Sequence, residues 1–134
     1  MNRQLVRAGQ GGFVTLLCAR LETEGTMKLA NAGHLYPYRN GLERAVETGM
    51  PLGLEEVAEY GETTVHLEPG DSITFLSDGV LEARNADGEL FGFERTLALS
   101  NRSPQEIAHA AQEFGQEDDI TVLKLTRATA GVLV

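Results

Sequence analysis

The run Ser72-Ile73-Thr74-Phe75-Leu76-Ser77-Asp78-Gly79 constrains this chain more than any other stretch, because an apolar, β-prone segment ends abruptly in a carboxylate and a glycine. Residues 73–76 leave no strongly polar face, the pattern of a strand covered on both sides. Pro69-Gly70 just ahead puts Pro at the second and Gly at the third position of a turn. A strand bounded in this way delivers its last side chain to the rim of a sheet. An ionised Asp at the mouth of an apolar layer is costly without a compensating partner, and a hard divalent cation is one such partner. Asp78 has a second use open to it, as the N-cap of a helical turn over 80–83.

A second acidic group, Glu117-Asp118-Asp119, stands directly before the β-rich run Ile120-Thr121-Val122-Leu123-Lys124-Leu125. Two carboxylates about 4 Å apart in a medium of dielectric about 20 repel by about 4 kcal/mol. A fold that brings Asp78 and Asp118 together therefore calls for a cation between them. Oxygen donors with no His or Cys cluster point to magnesium or manganese rather than zinc. The plainer reading of the acidic run is a solvated turn.

The rest of the chain reads as α+β. A helix is expected over 1–8 with Gly9 behind it, then a buried strand from Phe13 to Ala19 in which Cys18 is a small core residue. A turn at Gly25 leads to a returning strand from Met27 to Ala32, and Asn40-Gly41 between short strands is a strong hairpin signal. His34 has no nucleophile in a recognised pattern beside it and reads as structural. The loop 49–54 is punctuated by Gly49, Pro51 and Gly53, and a strand from Thr63 to Leu67 leads into the central one. Asn85-Ala86-Asp87-Gly88 reads as a turn, since Ala83 would occupy the first ligand position of a calcium loop. Ser103-Pro104-Gln105-Glu106 is a capping box, followed by Ile107, Ala110, Ala111 and Phe114 on one helical stripe and a stop at Gly115. Strands at short intervals followed by helices make an α+β pattern.

Composition sets the outer limits. A chain of 134 residues with 42% hydrophobic content has the size of one modest domain, and no run approaches the ~20 apolar residues of a membrane span. A net charge of -9 without clustered Lys or Arg argues against a nucleic-acid surface. One cysteine excludes an internal disulfide, and no apolar signal segment opens the chain, so a cytoplasmic location is expected.

Seven strings, in order, carry a resemblance: Phe13-Val14-Thr15-Leu16, Ala30-Asn31-Ala32-Gly33-His34, Gly49-Met50-Pro51-Leu52-Gly53-Leu54, Leu67-Glu68-Pro69-Gly70-Asp71, Ser77-Asp78-Gly79-Val80-Leu81-Glu82-Ala83, Gly88-Glu89-Leu90-Phe91-Gly92 and Glu117-Asp118-Asp119-Ile120-Thr121. Together they resemble the bacterial metal-dependent serine phosphatases of the sporulation stage II protein E type, a branch of the type-2C protein phosphatase superfamily. The resemblance implies a layered β-sandwich of mainly antiparallel sheets flanked by helices. It implies that Asp78 and Asp118 are metal ligands in a centre of two Mn2+ or Mg2+ ions, with Gly79 and Asp119 beside them, and that a metal-activated water hydrolyses phosphoserine or phosphothreonine. The implied substrate is a phosphorylated anti-sigma-factor antagonist. Segments supplying the bridging ligand are expected upstream of Met1, so residues 1–127 match the C-terminal portion of such a domain and 128–134 a tail. Sheet edges left open by the upstream strands are expected either to associate, giving a homo-oligomer, or to leave the chain only marginally stable. Asp78 and Asp118 favour a phosphatase, whereas the upstream position of the bridging ligand favours a catalytically inactive, phosphatase-like interaction module. A simple cation-binding structural domain is the third reading.

Overall fold

The computed structural model describes residues 1–9 and 11–129, and internal contacts divide the chain into two units interleaved in sequence. The first comprises Met1–His34 and Ala45–Leu67, the second Leu35–Arg44 and the chain from Glu68 onward.

In the first unit, helix α1 (Asn2–Arg7) ends at Ala8, and Gly9 behind it takes a φ of 63°, the left-handed position that favours glycine. Strand β1 (Leu16–Leu21) pairs antiparallel with β2 (Thr26–Ala32) from Leu16↔Ala32 to Leu21↔Met27. The connection is a 3-10 turn in which Glu24 and Gly25 both have positive φ, 59° and 80°. The opposite edge of β2 is shared by β5 (Thr48–Gly49), parallel, and β6 (Thr63–His66), antiparallel. Strand β2 is thus the centre of the sheet, and Met27, Leu29 and Asn31 are buried together with Val65 and Leu67.

Two expectations need correction here. The strand placed at Phe13–Ala19 lies at Leu16–Leu21, and four of its six residues are exposed. Cys18, expected in the core, is exposed as well. Strand β1 has a partner on one side only, so its apolar composition does not translate into burial among the described residues. The string around His34 folds into a turn held by the Asn31 side chain. Asn31 accepts the His34 N–H through its side-chain oxygen at 2.7 Å and donates to the His34 carbonyl at 2.9 Å. At Gly33, with φ of 70°, a Cβ would lie 2.6 Å from Pro51 Cγ, so only glycine fits the turn.

The second unit contains a sheet whose strands lie in the order β4 (Leu42–Glu43), β3 (Tyr38–Arg39), β7 (Ser72–Leu76) and β8 (Val122–Thr126). Strands β3 (Tyr38–Arg39) and β4 (Leu42–Glu43) are joined by Asn40 and Gly41, with φ of 49° and 81°, the paired positive angles a two-residue hairpin of the primed type requires. Strand β7 (Ser72–Leu76) lies between β3 and β8 (Val122–Thr126), and all its residues but Phe75 are buried. The β7–β8 ladder runs from Ser72↔Thr126 to Leu76↔Val122. The turn before β7 has Gly70 at φ of 90° and an Asp71 N–H to Glu68 carbonyl bond of 2.9 Å. The Asp71 carboxylate accepts from the Arg39 guanidinium at 2.7 Å, the Asn40 amide at 2.9 Å and the Glu68 N–H at 2.9 Å. These donors, Arg39 first, hold its pKa down to about 2.

Helices α2 (Asp78–Leu81), α3 (Gly92–Leu99) and α4 (Pro104–Gly115) cover this sheet's core. The capping box on α4 forms in both directions: Ser103 Oγ accepts the Glu106 N–H at 3.2 Å, and the Glu106 carboxylate accepts the Ser103 N–H at 2.9 Å. Its expected stripe is the buried one, with Ile107 and Ala111 fully covered and Ala110 and Phe114 packed alongside. Phe114 meets Phe91 edge to face at 5.3 Å between ring centroids. The helix stops at Gly115, where the carbonyl accepts the Arg84 N–H at 2.7 Å and a Cβ would collide with the Arg84 carbonyl oxygen. Helix α3 was not foreseen, because Phe91 holds the N-cap position without a side-chain cap and Gly92 opens the first turn. The α+β class with mainly antiparallel sheets is as expected, the short parallel β2–β5 pairing being the exception.

Candidate functional site

Strand β7 runs directly into the site. The Ser77 N–H donates to the Thr121 carbonyl at 2.9 Å, and the Ser77 hydroxyl oxygen accepts the Thr121 N–H at 2.9 Å. The same hydroxyl lies 3.4 Å from the Asp119 carbonyl oxygen. Ser77 therefore extends the β7–β8 ladder by one side chain and ties down the acidic loop that precedes β8.

Asp78 follows as the first residue of α2. The N-cap reading is corrected: Ser77 occupies the N-cap position, with extended φ and ψ of -77° and 159°, and Asp78 lies one residue further in. Its side chain is exposed and makes no hydrogen bond or ion pair with another described residue. No capping duty accounts for this carboxylate.

Gly79, by contrast, is buried. A Cβ there would collide with the Asp119 carbonyl oxygen and lie 3.0 Å from the Asp119 carbonyl carbon and 3.5 Å from the Asp118 carbonyl oxygen. The backbone of the acidic loop thus rests directly on Gly79, and Asp118 and Asp119 are neighbours of Asp78 through it. The loop is further organised by the Asp119 N–H, which donates to Asp118 Oδ1 at 2.7 Å, and by the Gln116 amide, which donates to the Asp118 carbonyl at 2.9 Å. Glu117 points toward Arg84, 3.8 Å away, in an exposed ion pair worth little.

All four residues singled out in the sequence, Asp78, Gly79, Asp118 and Asp119, are therefore brought together, and the three carboxylates are exposed. Exposed carboxylates of this kind are hard oxygen donors, the type a divalent cation takes. Among the described residues no group of three or more His, Cys, Asp or Glu side chains has the geometry to enclose a metal ion. Ser77 and Gln116 went unnoticed in the sequence, since their partners are fixed by the fold; a hydroxyl between a buried strand and an Asp was the available signal for Ser77.

The stage II sporulation protein E (SpoIIE) family matches residues 1–128. The phosphoserine phosphatase RsbU of Bacillus subtilis is 28% identical over 131 residues, covering 86% of this chain and 39% of that protein. Among solved structures, the RsbU and RsbW domains of a Mycobacterium tuberculosis protein align with a TM-score of 0.70 at 22% identity, over 95% of this chain and 40% of that one. The Mn-presoaked SpoIIE phosphatase domain of B. subtilis aligns with a TM-score of 0.60 at 21% identity, over 88% and 58%. PppA, a regulatory component of the type VI secretion system of Pseudomonas aeruginosa, gives 0.69 at 19% identity, over 92% and 62%. At these identities the structural likeness is one of fold, and the chain spans about two-fifths of the curated relative it matches. With its first 128 residues matched, the chain belongs to the stage II sporulation protein E family.

Proposed function

We propose that this chain is the C-terminal portion of a metal-dependent protein serine/threonine phosphatase that hydrolyses phosphoserine or phosphothreonine in bacterial sigma-factor regulation. The observation that carries the reading is the exposed, unpartnered Asp78 carboxylate beside an acidic loop that Gly79 and Ser77 hold in place. Family membership and a relative named as a phosphoserine phosphatase support it. In this reading Asp78 and Asp118 are metal ligands, while Gly79 and Asp119 shape the loop around them. Asp78 and Asp118 would hold Mn2+ or Mg2+, two ions in the complete domain, which would supply positive charge against the phosphoryl oxygens and lower the pKa of a hydrolytic water. The residues of this chain orient that charge: Asp78 from the first turn of α2, Asp118 from a loop stapled to β7 by Ser77. The substrate is a phosphorylated anti-sigma-factor antagonist, and the setting is the cytoplasm; no helix among the described residues is long and apolar enough to cross a membrane. Residues 1–127 form the phosphatase portion and 128–134 a tail, of which 130–134 lie outside the described residues. The open side of β1 is the edge through which copies of the chain would associate.

A second reading, a catalytically inactive phosphatase-like interaction module, is favoured by the partial donor set among the described residues. Calorimetric manganese titration of the chain and of Asp78→Asn, with turnover of a phosphoserine peptide measured on the same samples, separates the two. Binding and turnover that both vanish in the variant support the phosphatase. Turnover that survives Asp78→Asn overturns the assignment of Asp78, and a folded chain that neither binds manganese nor turns over even when joined to the upstream segments of the domain supports the interaction module.

A further inference from the structure

Helix α3 presents Phe93 and Leu97 to solvent, 61% and 44% exposed, and their four-residue spacing sets them on one helical face. Together with Tyr38, Glu43 and Glu94 they line an open cleft of about 190 Å3. Single exposed apolar residues are ordinary, but an aromatic and a leucine flanking a concavity form a surface shaped for an occupant.

The charges in the cleft specify that occupant. Its two ionisable rim groups besides the Tyr38 phenol are the carboxylates of Glu43 and Glu94, both exposed and neither in an ion pair with another described residue. Burial and the negative charge of Glu43 together raise the Tyr38 pKa, so the phenol stays neutral beside that carboxylate. An anionic or wholly apolar segment seated here would desolvate two carboxylates without pairing them. A long cationic side chain satisfies both requirements, laying its methylene stem on Phe93 and Leu97 and its charged head between the carboxylates or over the Phe93 ring.

We propose that this cleft docks a lysine or arginine side chain carried by a basic amphipathic segment of a partner protein. The cleft shares no residue with the Asp78 cluster, so the proposal stands independently of the phosphatase reading.

The test uses the 134-residue chain and a fluorescein-labelled helical peptide of leucine and lysine, with a leucine–glutamate peptide for comparison. The lysine peptide is expected to bind in preference to its acidic counterpart and to shift the backbone amide resonances of Glu43 and residues 93–97. Phe93→Ser and the pair Glu43→Gln/Glu94→Gln are each expected to weaken binding about tenfold. Their positions are exposed, so the variants keep the parent's thermal unfolding midpoint to within a few degrees. The pair Glu55→Gln/Glu62→Gln, which removes the same charge elsewhere, is expected to leave binding unchanged. Equal losses in the two charge variants would show attraction to overall acidity and overturn the proposal. So would equal binding of both peptides, or no binding of the lysine peptide.

Discussion

The Thr121 N–H donates to the Ser77 hydroxyl at 2.9 Å across 44 residues of sequence, and with the reciprocal Ser77 N–H to Thr121 carbonyl bond it fixes where the acidic loop meets the end of β7. Ser77→Ala removes the acceptor and leaves the Thr121 N–H to find water. A loss of about 1 kcal/mol in urea unfolding is expected, with faster hydrogen exchange at Thr121 than in the parent. An unchanged exchange rate there would mean the bond carries no weight.

Gly79→Ala tests the neighbouring contact. Its Cβ would collide with backbone, the Asp119 carbonyl, rather than with a side chain able to swing away. The loop must shift, and a cost of about 1–3 kcal/mol is expected in denaturant unfolding. If the phosphatase reading holds, manganese affinity falls in the same variant while α4 keeps its helical signal. Full stability in the variant would show the loop to be free to move.

Acid should expose the role of Asp71. Its folded-state pKa of about 2 lies below the ordinary 3.8, so its contribution is complete above the ordinary value and fades as pH falls through about 2. Glu106, lowered by its bonds to Ser103, acts in the same direction. Comparing thermal midpoints of the parent and Asp71→Asn, a deficit in the variant near neutrality is expected to shrink as pH drops from about 4 to about 2. A deficit constant across that window would sink the assignment.

Cys18, exposed on β1, should react with a disulfide reagent in the native protein, one equivalent per chain and at a rate little changed by denaturant. Labelling that waits for denaturant would show that the open face of β1 is covered in solution.

Much of the second unit was legible because its signals are local. Asn40-Gly41, Pro69-Gly70 and the Ser103/Glu106 box each encode their own backbone geometry within four residues, and each forms as read. The even apolar character of 73–76 announced a strand covered on both faces, and all of β7 but Phe75 is buried. The first unit was harder, since hydrophobicity in β1 says that a face seeks cover without saying whether cover is supplied. Cys18 failed for that reason. Helix α3 failed for another: it starts without a capping residue, and packing around the buried Thr96, whose hydroxyl donates back to the Gly92 carbonyl at 2.7 Å, holds it instead. At the site, Asp78 and Asp118 stood out as charges at strand ends, but their adjacency through Gly79 depends on contacts some forty residues apart in the chain, which no local pattern encodes.

That long separation has a kinetic consequence. The β7–β8 ladder forms only after the chain between Leu76 and Val122, three helices included, has closed on itself. Contacts of such sequence distance are made late, since the entropy of closure is lost before any pairing compensates it. The acidic groups stay apart in the unfolded chain and meet when this ladder zips. A ligand that recognises Asp78 and the acidic loop together would therefore report on the closing of this ladder, and in renaturation its capture should lag behind the appearance of helix.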